Sequence, residues 1–219
     1  MNPINRGVRR KQTRTFLGKR EKNKTIVRER LLDEALRLFS VQGFEKTTVS
    51  DIVQASSIGR GTFYNYFTDV KDIFNAVIDR LNSEIRTVIY EARKEAKTVY
   101  ESLYFAFKSY FDYVSDAKRI DFHRKNQAYI RSTSYGSDSV KQIIADLQKN
   151  LKKQKVVDQF EFDEEFQLLS FVLIGTPAEL FLNIHDTGLK MSNEQLANFL
   201  ATLFTKGLEH QVRTFAKTN

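Results

Sequence analysis

The stretch "SSIGRGTFYNYF", residues 56 to 67, holds two glycines and four aromatic rings. On a helix turning 100° per residue, Phe63 and Phe67 share one side, while Gly61, Thr62, Asn65 and Tyr66 share the other. Tyr64 falls between the two and is expected to be half core, with its hydroxyl reaching outward. The outer face combines a small residue, a hydroxyl, an amide and a phenol without a carboxylate. Such a surface approaches a phosphate backbone closely and offers donors to phosphate oxygens and base edges. The two phenylalanines anchor a helix too short to persist on propensity alone. A capped, solvent-facing turn would use the same residues, so the flanking elements must decide.

Those elements are helical. In "TIVRERLLDEALRLFSVQG", Val27, Leu31, Ala35 and Phe39 recur every fourth residue with Leu32 and Leu36 beside them, and Gly43 supplies a stop. In "TTVSDIVQAS", a Thr at 47 or 48 caps a short helix over about 48–55, with Val49, Ile52 and Val53 inward and Asp51 in its first turn. "SSIG" is a tight turn, and a second short helix from about Arg60 to Phe67 closes the unit.

The charge distribution favours a polyanion partner. Residues 1–30 carry eleven Lys or Arg against two Glu, a surplus of nine in a chain whose net charge is +8, so the remainder is close to neutral. A basic arm on a neutral body suits nucleic acid at one end, although a solubilising tail would show the same composition. With 219 residues, two prolines and nine glycines, the chain has room for a substantial core and little loop chemistry, which predicts an almost all-α fold. The absence of cysteine excludes disulfides, thiolate metal sites and cysteine nucleophiles. No run approaches the roughly 20 apolar residues of a membrane span, and no apolar segment follows the basic N-terminus as in a secretory signal. The expectation is a cytoplasmic protein without a membrane partner. His123, His185 and His210 are scattered and no glycine-rich phosphate loop follows a strand, so neither an enzyme, a metal site nor a cofactor is expected.

The segment from about Arg28 to Val77, through "RERLLDEALRLFSVQGFEKTTVSDIVQASSIGRGTFYNYF" and "DIFNAV", resembles the tetracycline-repressor-like (TetR) family of transcriptional regulators. The resemblance implies a helix-turn-helix whose second short helix enters the major groove of a double-stranded DNA operator. It further implies a homodimer that uses the rest of each chain for dimerisation and for a small-molecule effector. By that resemblance Arg28 and Thr48 are phosphate contacts, and Arg60, Gly61, Thr62, Tyr64, Asn65 and Tyr66 form the recognition segment. Three positions depart from the family pattern. Ser57 stands where the turn has Gly, Gly59 stands where a Ser caps the recognition helix, and Val70 stands where a Lys opens the fourth helix, shifting that phosphate contact to Lys71. The domains expected are a flexible basic arm over 1–24, a DNA-binding domain over 25–69 and a ligand-binding and dimerisation domain over 70–219.

Beyond residue 70, periodicity predicts a linking helix over about 70–96, an aromatic helix in "TVYESLYFAFKSYFDYVSD" and a third in "DFHRKNQAYIRS". A loop, "TSYGSDS", a helix over about 138–153 and two long helices over about 163–187 and 192–215 follow. Phe107, Tyr110, Phe111, Phe122, His123, Gln127 and Tyr129 are the candidate lining of a pocket for a mostly apolar or aromatic effector with a few polar anchors. Plain core packing would use the same stripe. The two last helices carry more apolar surface than one core face needs. Phe171, Ile174, Leu180, Phe181, Phe199, Leu200, Leu203 and Phe204 are therefore the candidate dimer interface, and Pro177 is expected to kink the first of these helices or to interrupt one of its hydrogen bonds. A second function class, an interaction protein binding RNA or a membrane surface through the arm alone, differs in having no preferred duplex.

Overall fold

The computed structural model describes the backbone over residues 7–134, 138–153 and 163–215, with side chains described within 21–207. Among the described residues there are nine helices and no strand. They are α1 (Gly7–Gln42), α2 (Val49–Ser56), α3 (Arg60–Phe63), α4 (Val70–Ala92), α5 (Val99–Val114), α6 (Ala117–Ser134), α7 (Asp138–Lys153), α8 (Asp163–Thr187) and α9 (Asn193–Phe215). The chain divides into two compact units, a head up to Val77 and a body from Ile78.

Local chemistry sets the ends of the head helices. Gly43, at φ 82°, donates its N–H to the Phe39 carbonyl at 3.1 Å and stops α1. A reciprocal cap opens α2: the Thr48 hydroxyl accepts the Asp51 N–H at 3.2 Å, and the Asp51 carboxylate accepts the Thr48 N–H at 2.8 Å. Leu31, Leu32, Ala35, Phe39, Ile52, Phe63, Phe67, Ile73 and Phe74 are buried and form the head's core. Within it the Phe74 ring meets Phe39 edge-on at 4.8 Å and Phe44 at 4.9 Å. This packing places the first two turns of α4 in the head, so the division falls after Val77 and not at the expected boundary of residue 69. The first helix also begins at Gly7, which makes most of the expected arm a helical extension of α1.

The body is a helical bundle in which α5 packs along α9. Its core holds Leu103, Phe107, Phe111, Leu147, Phe166, Leu173, Phe181, Leu196 and Leu200. The Arg86 guanidinium of α4 donates to Asp146 of α7 at 2.5 and 3.3 Å and to Gln142 at 2.8 Å. Of the two effects expected of Pro177, the lost hydrogen bond applies, since α8 continues through it; non-helical dihedrals occur instead inside α6, at Asn126 (φ −121°, ψ 15°). There the Asn126 amide donates to the Phe122 carbonyl at 2.6 Å. The linking helix ends at Ala92, short of the expected residue 96. Part of the expected loop, residues 135–137, lies outside the described residues, as do His210's and His185's side chains.

One expectation is corrected. Phe166–Ile184 is a 19-residue stretch with mean hydropathy 1.4, long and apolar enough by length and composition to cross a membrane. Ser170, Thr176 and Glu179 interrupt its apolar run, which hid it from a reading by uninterrupted residues. Its Phe166, Leu173, Phe181 and Ile184 are buried in the body, and 33% of the stretch is buried in all.

Candidate nucleic-acid interface and ligand cavity

The recognition segment is shorter than its ring spacing predicts. The helix is a single turn, Arg60–Phe63, and the chain then tightens: Asn65 N–H donates to Thr62 at 3.1 Å and Tyr66 N–H to Phe63 at 2.9 Å, before Phe67 N–H returns to Phe63 at 3.0 Å. The tightening still carries both phenylalanines inward, with Phe63 fully buried and Phe67 nearly so. Arg60, Gly61, Thr62 and Asn65 are exposed, and Tyr66 is half-buried. Tyr64 is 49% exposed and rests its ring edge-on against Phe63 at 5.4 Å, more outward than the half-core position expected. Among the described residues, no hydrogen bond or ion pair engages the side chains of Arg60, Thr62, Asn65 or Tyr66. At Gly61 an added Cβ would meet nothing within 4 Å among the described residues, so none of those neighbours requires glycine there.

The turn before it carries backbone strain. Ser57 adopts φ 54°, ψ 31°, the left-handed region that favours glycine, and its N–H donates to Gln54 at 3.3 Å. Gly59 caps α3 without a side-chain hydrogen bond. The hydroxyl displaced from position 59 thus leaves the helix uncapped, and the glycine displaced from position 57 leaves a serine in its place.

The flanking candidates behave differently from one another. Lys71 is exposed in the first turn of α4. Arg28 is exposed on α1, with its guanidinium over the Phe67 ring and 3.5 Å from the Glu29 carboxylate. Thr48 is exposed, but both its donors are engaged: the hydroxyl reaches the Asp51 carboxylate at 2.7 Å, and the amide reaches it at 2.8 Å. These bonds, the Thr48 hydroxyl first, hold the Asp51 carboxyl below its ordinary range. A phosphate at Thr48 would have to share or exchange those donors.

In the body, a cavity of about 200 Å³ opens between α4, α5, α6, α7 and α8. Of the expected lining, Phe107, Tyr110, His123 and Gln127 border it. Phe111 and Phe122 are packed into core instead, Phe111 stacking on Phe181 at 6.1 Å, and Tyr129 is not part of the lining. Sequence reasoning missed the wall made by Asn82, Ile85 and Ile89 of α4 and by Arg93 just past its end, although their spacing of three and four residues is that of one helix face. Apolar surroundings push the His123 imidazole down to about 4, so it is neutral near pH 7. Burial, and then Glu179, raises the Tyr110 phenol. Burial lowers Arg93 below the ordinary arginine value, against support from Asp146. No group of three or more His, Cys, Asp or Glu among the described residues could hold a metal ion.

The candidate interface residues of α8 and α9 divide between two faces. Phe181 and Leu200 are buried, Ile174 borders the cavity, and Leu180 and Phe204 pack on the core, Phe204 lying 5.8 Å from Phe107. Phe171 is half-buried. The outward apolar residues are Phe199 and Leu203 on α9 and, unforeseen, Leu168 and Val172 on α8, each at least 50% exposed.

The profile of bacterial regulatory proteins of the tetR family matches residues 31–77. The HTH-type transcriptional regulator YdgC of Bacillus subtilis (strain 168) is 25% identical over 170 residues, spanning 74% of this chain and 83% of its own. Among solved structures, the fatty acid degradation regulator FadR from Bacillus halodurans has a TM-score of 0.65 at 20% identity, covering 80% of this chain and 93% of that one. FadR from Bacillus subtilis in complex with stearoyl-CoA has a TM-score of 0.62 at 18% identity, covering 80% and 96%. These two likenesses show the fold.

Proposed function

We infer, for a chain that belongs to the TetR family of transcriptional regulators, that it is a repressor which binds a palindromic operator as a homodimer and releases it when a mostly apolar small molecule enters the body. The observation that carries this reading is the outward face of Arg60–Tyr66. Among the described residues the side chains of Arg60, Thr62, Asn65 and Tyr66 find no hydrogen-bond or ion-pair partner, while Phe63 and Phe67 lock the turn from beneath. Exposed donors on a rigid turn are suited to phosphates and base edges. Two heads related by a two-fold axis read half-sites about one helical turn apart, which is the reason for proposing a dimer built on the exposed faces of α8 and α9. The stearoyl-CoA held by the Bacillus subtilis neighbour supports a ligand site in the body, here the cavity beside α4. On this reading the protein acts on DNA in the cytoplasm and catalyses nothing.

The test is selection of bound fragments from a random or genomic DNA pool, followed by titration against the selected operator and a scrambled duplex at several salt concentrations. A two-fold site bound well above the scrambled sequence is expected. Equal binding to both duplexes would leave the basic N-terminal segment as a sequence-blind binder and would refute the operator reading.

A further inference from the structure

Arg93 stands at the end of the α4 wall of the cavity with its Nε buried and without a hydrogen-bond partner among the described residues. The carboxylate whose charge supports it, Asp146, is already gripped by both Nε and an amino group of Arg86. The other charged residues of the lining, Arg131 and Glu179, pair with each other, Arg131 Nε donating to Glu179 at 2.8 Å. Two arginines therefore share one aspartate, and the wall keeps a surplus positive charge. A guanidinium stays protonated under all ordinary conditions, so it cannot shed that charge as a buried lysine could. Burying such a cation without a counter-ion costs free energy that an incoming anion would return.

A second polar group on the same face points the same way. Three turns earlier, the Asn82 amide nitrogen is also buried and without a partner among the described residues. Both unmatched groups are donors. Between them the face is Ile85 and Ile89, and Leu103, Phe107 and Leu173 also line the cavity. A carboxylate is an acceptor only, and it takes an arginine fork in two parallel bonds. Size narrows the class. An engineered apolar cavity of roughly 150 Å³ takes up benzene, so about 200 Å³ suits an apolar body of some ten non-hydrogen atoms including the head group.

We propose that the effector is a small monoanionic amphiphile, an apolar carboxylic acid whose carboxylate is held by the Arg93 guanidinium while its hydrocarbon part lies against Ile85, Ile89 and Phe107. This rests on the cavity being the effector site and adds the charge and size of what enters it.

The probes are octanoate and octan-1-ol, which share a chain length and differ in charge, titrated calorimetrically into the full-length protein at pH 7. Octanoate is expected to bind about ten-fold or more tighter than octanol. Arg93→Met, which keeps the bulk and removes the charge, should abolish that preference while leaving octanol unchanged. Equal affinity of the wild type for the two probes overturns the proposal without any variant, so a poorly folding Arg93→Met would not shelter it. Undiminished octanoate binding by folded Arg93→Met overturns it as well. Octanol bound as tightly as octanoate, and releasing the operator, would leave the cavity as effector site and remove only the anion. Binding of neither probe would remove both, and the operator selection would still report on the head independently.

Discussion

The Arg28 guanidinium lies over the ring of Phe67, its Cζ 5.6 Å from the ring centroid. A residue expected to grip a phosphate is thereby positioned by the phenylalanine that closes the recognition turn. Arg28→Ala should lose one phosphate contact, lowering the log–log salt slope of operator binding by about 0.9. It should also lose about 0.5–1 kcal/mol of stability, the worth of an exposed cation–π contact. Salt-dependent titration and thermal melting check the two effects separately. An unchanged slope would remove Arg28 from the DNA contacts.

Phe63 and Tyr66, three residues apart, should separate folding from recognition. Phe63→Ala empties a fully buried site and should cost about 3–5 kcal/mol of stability. Tyr66→Ala should lose about 1–3 kcal/mol of operator binding with little change in melting temperature. Equal melting losses in the two variants would contradict the inward and outward assignment.

Ser57→Gly should stabilise the head, because serine at φ 54° bears a left-handed backbone that costs a non-glycine residue roughly 1–2 kcal/mol. Gly61→Ala should also stabilise it, by about 0.5–1 kcal/mol, since the added methyl meets nothing in the protein. The same methyl should weaken operator binding if glycine is there to let DNA approach. Denaturant melts and titrations on both variants decide, and unimpaired binding by Gly61→Ala would place the DNA further away.

Leu203→Asp and Phe199→Asp put a carboxylate on the outward face of α9 without touching the core. Each should turn a dimer into a monomer, because a carboxylate cannot be buried there without a partner. Mass by light scattering at micromolar concentration is the measurement. A wild type already monomeric under those conditions would refute both the interface and the two-fold operator model. Phe204 is unsuited to this test, since it packs inward against Phe107.

Acid should destabilise the body through His123. Its folded value of about 4 lies below the ordinary 6.5, so between those values the unfolded chain binds more protons than the folded one. Stability is then full above pH 6.5 and falls as the pH drops towards 4, by at most about 3 kcal/mol, a ceiling that water in the cavity lowers. Melts of wild type and His123→Phe across this window should diverge, the variant losing less. Parallel curves would show that the ring is solvated.

Features set by near neighbours in the chain were legible in the sequence. The stop at Gly43 and a threonine cap at 47 or 48, which the structure places at Thr48, depend on residues within four positions, and the stripe from Val27 to Phe39 fixes its own buried side. The recognition turn was legible as a pair of faces but not in length, because Phe63 and Phe67 stay together whether the chain continues as a helix or tightens after one turn. The cavity was only half legible. Phe107 and Phe111 have the same type and the same helical spacing, and only the positions of α4 and α8 decide which one meets empty space. Phe199 and Leu200 differ in the same way, since a helix apolar on most sides does not declare which side faces its own core.

Pro177 brings no N–H to α8, so the carbonyl of Leu173 has no donor four residues on. Both residues also border the cavity, so the middle of the helix meets open space on one side at the point where its ladder lacks a rung. Local opening should therefore need less free energy there than toward Phe166 or Ile184. Deuterium should enter the central amides of α8 first, and an occupant filling the cavity should slow that entry. Exposed Val172 lies in this same segment, so the firmness of an outward-facing stretch of α8 depends on whether the space behind it is filled.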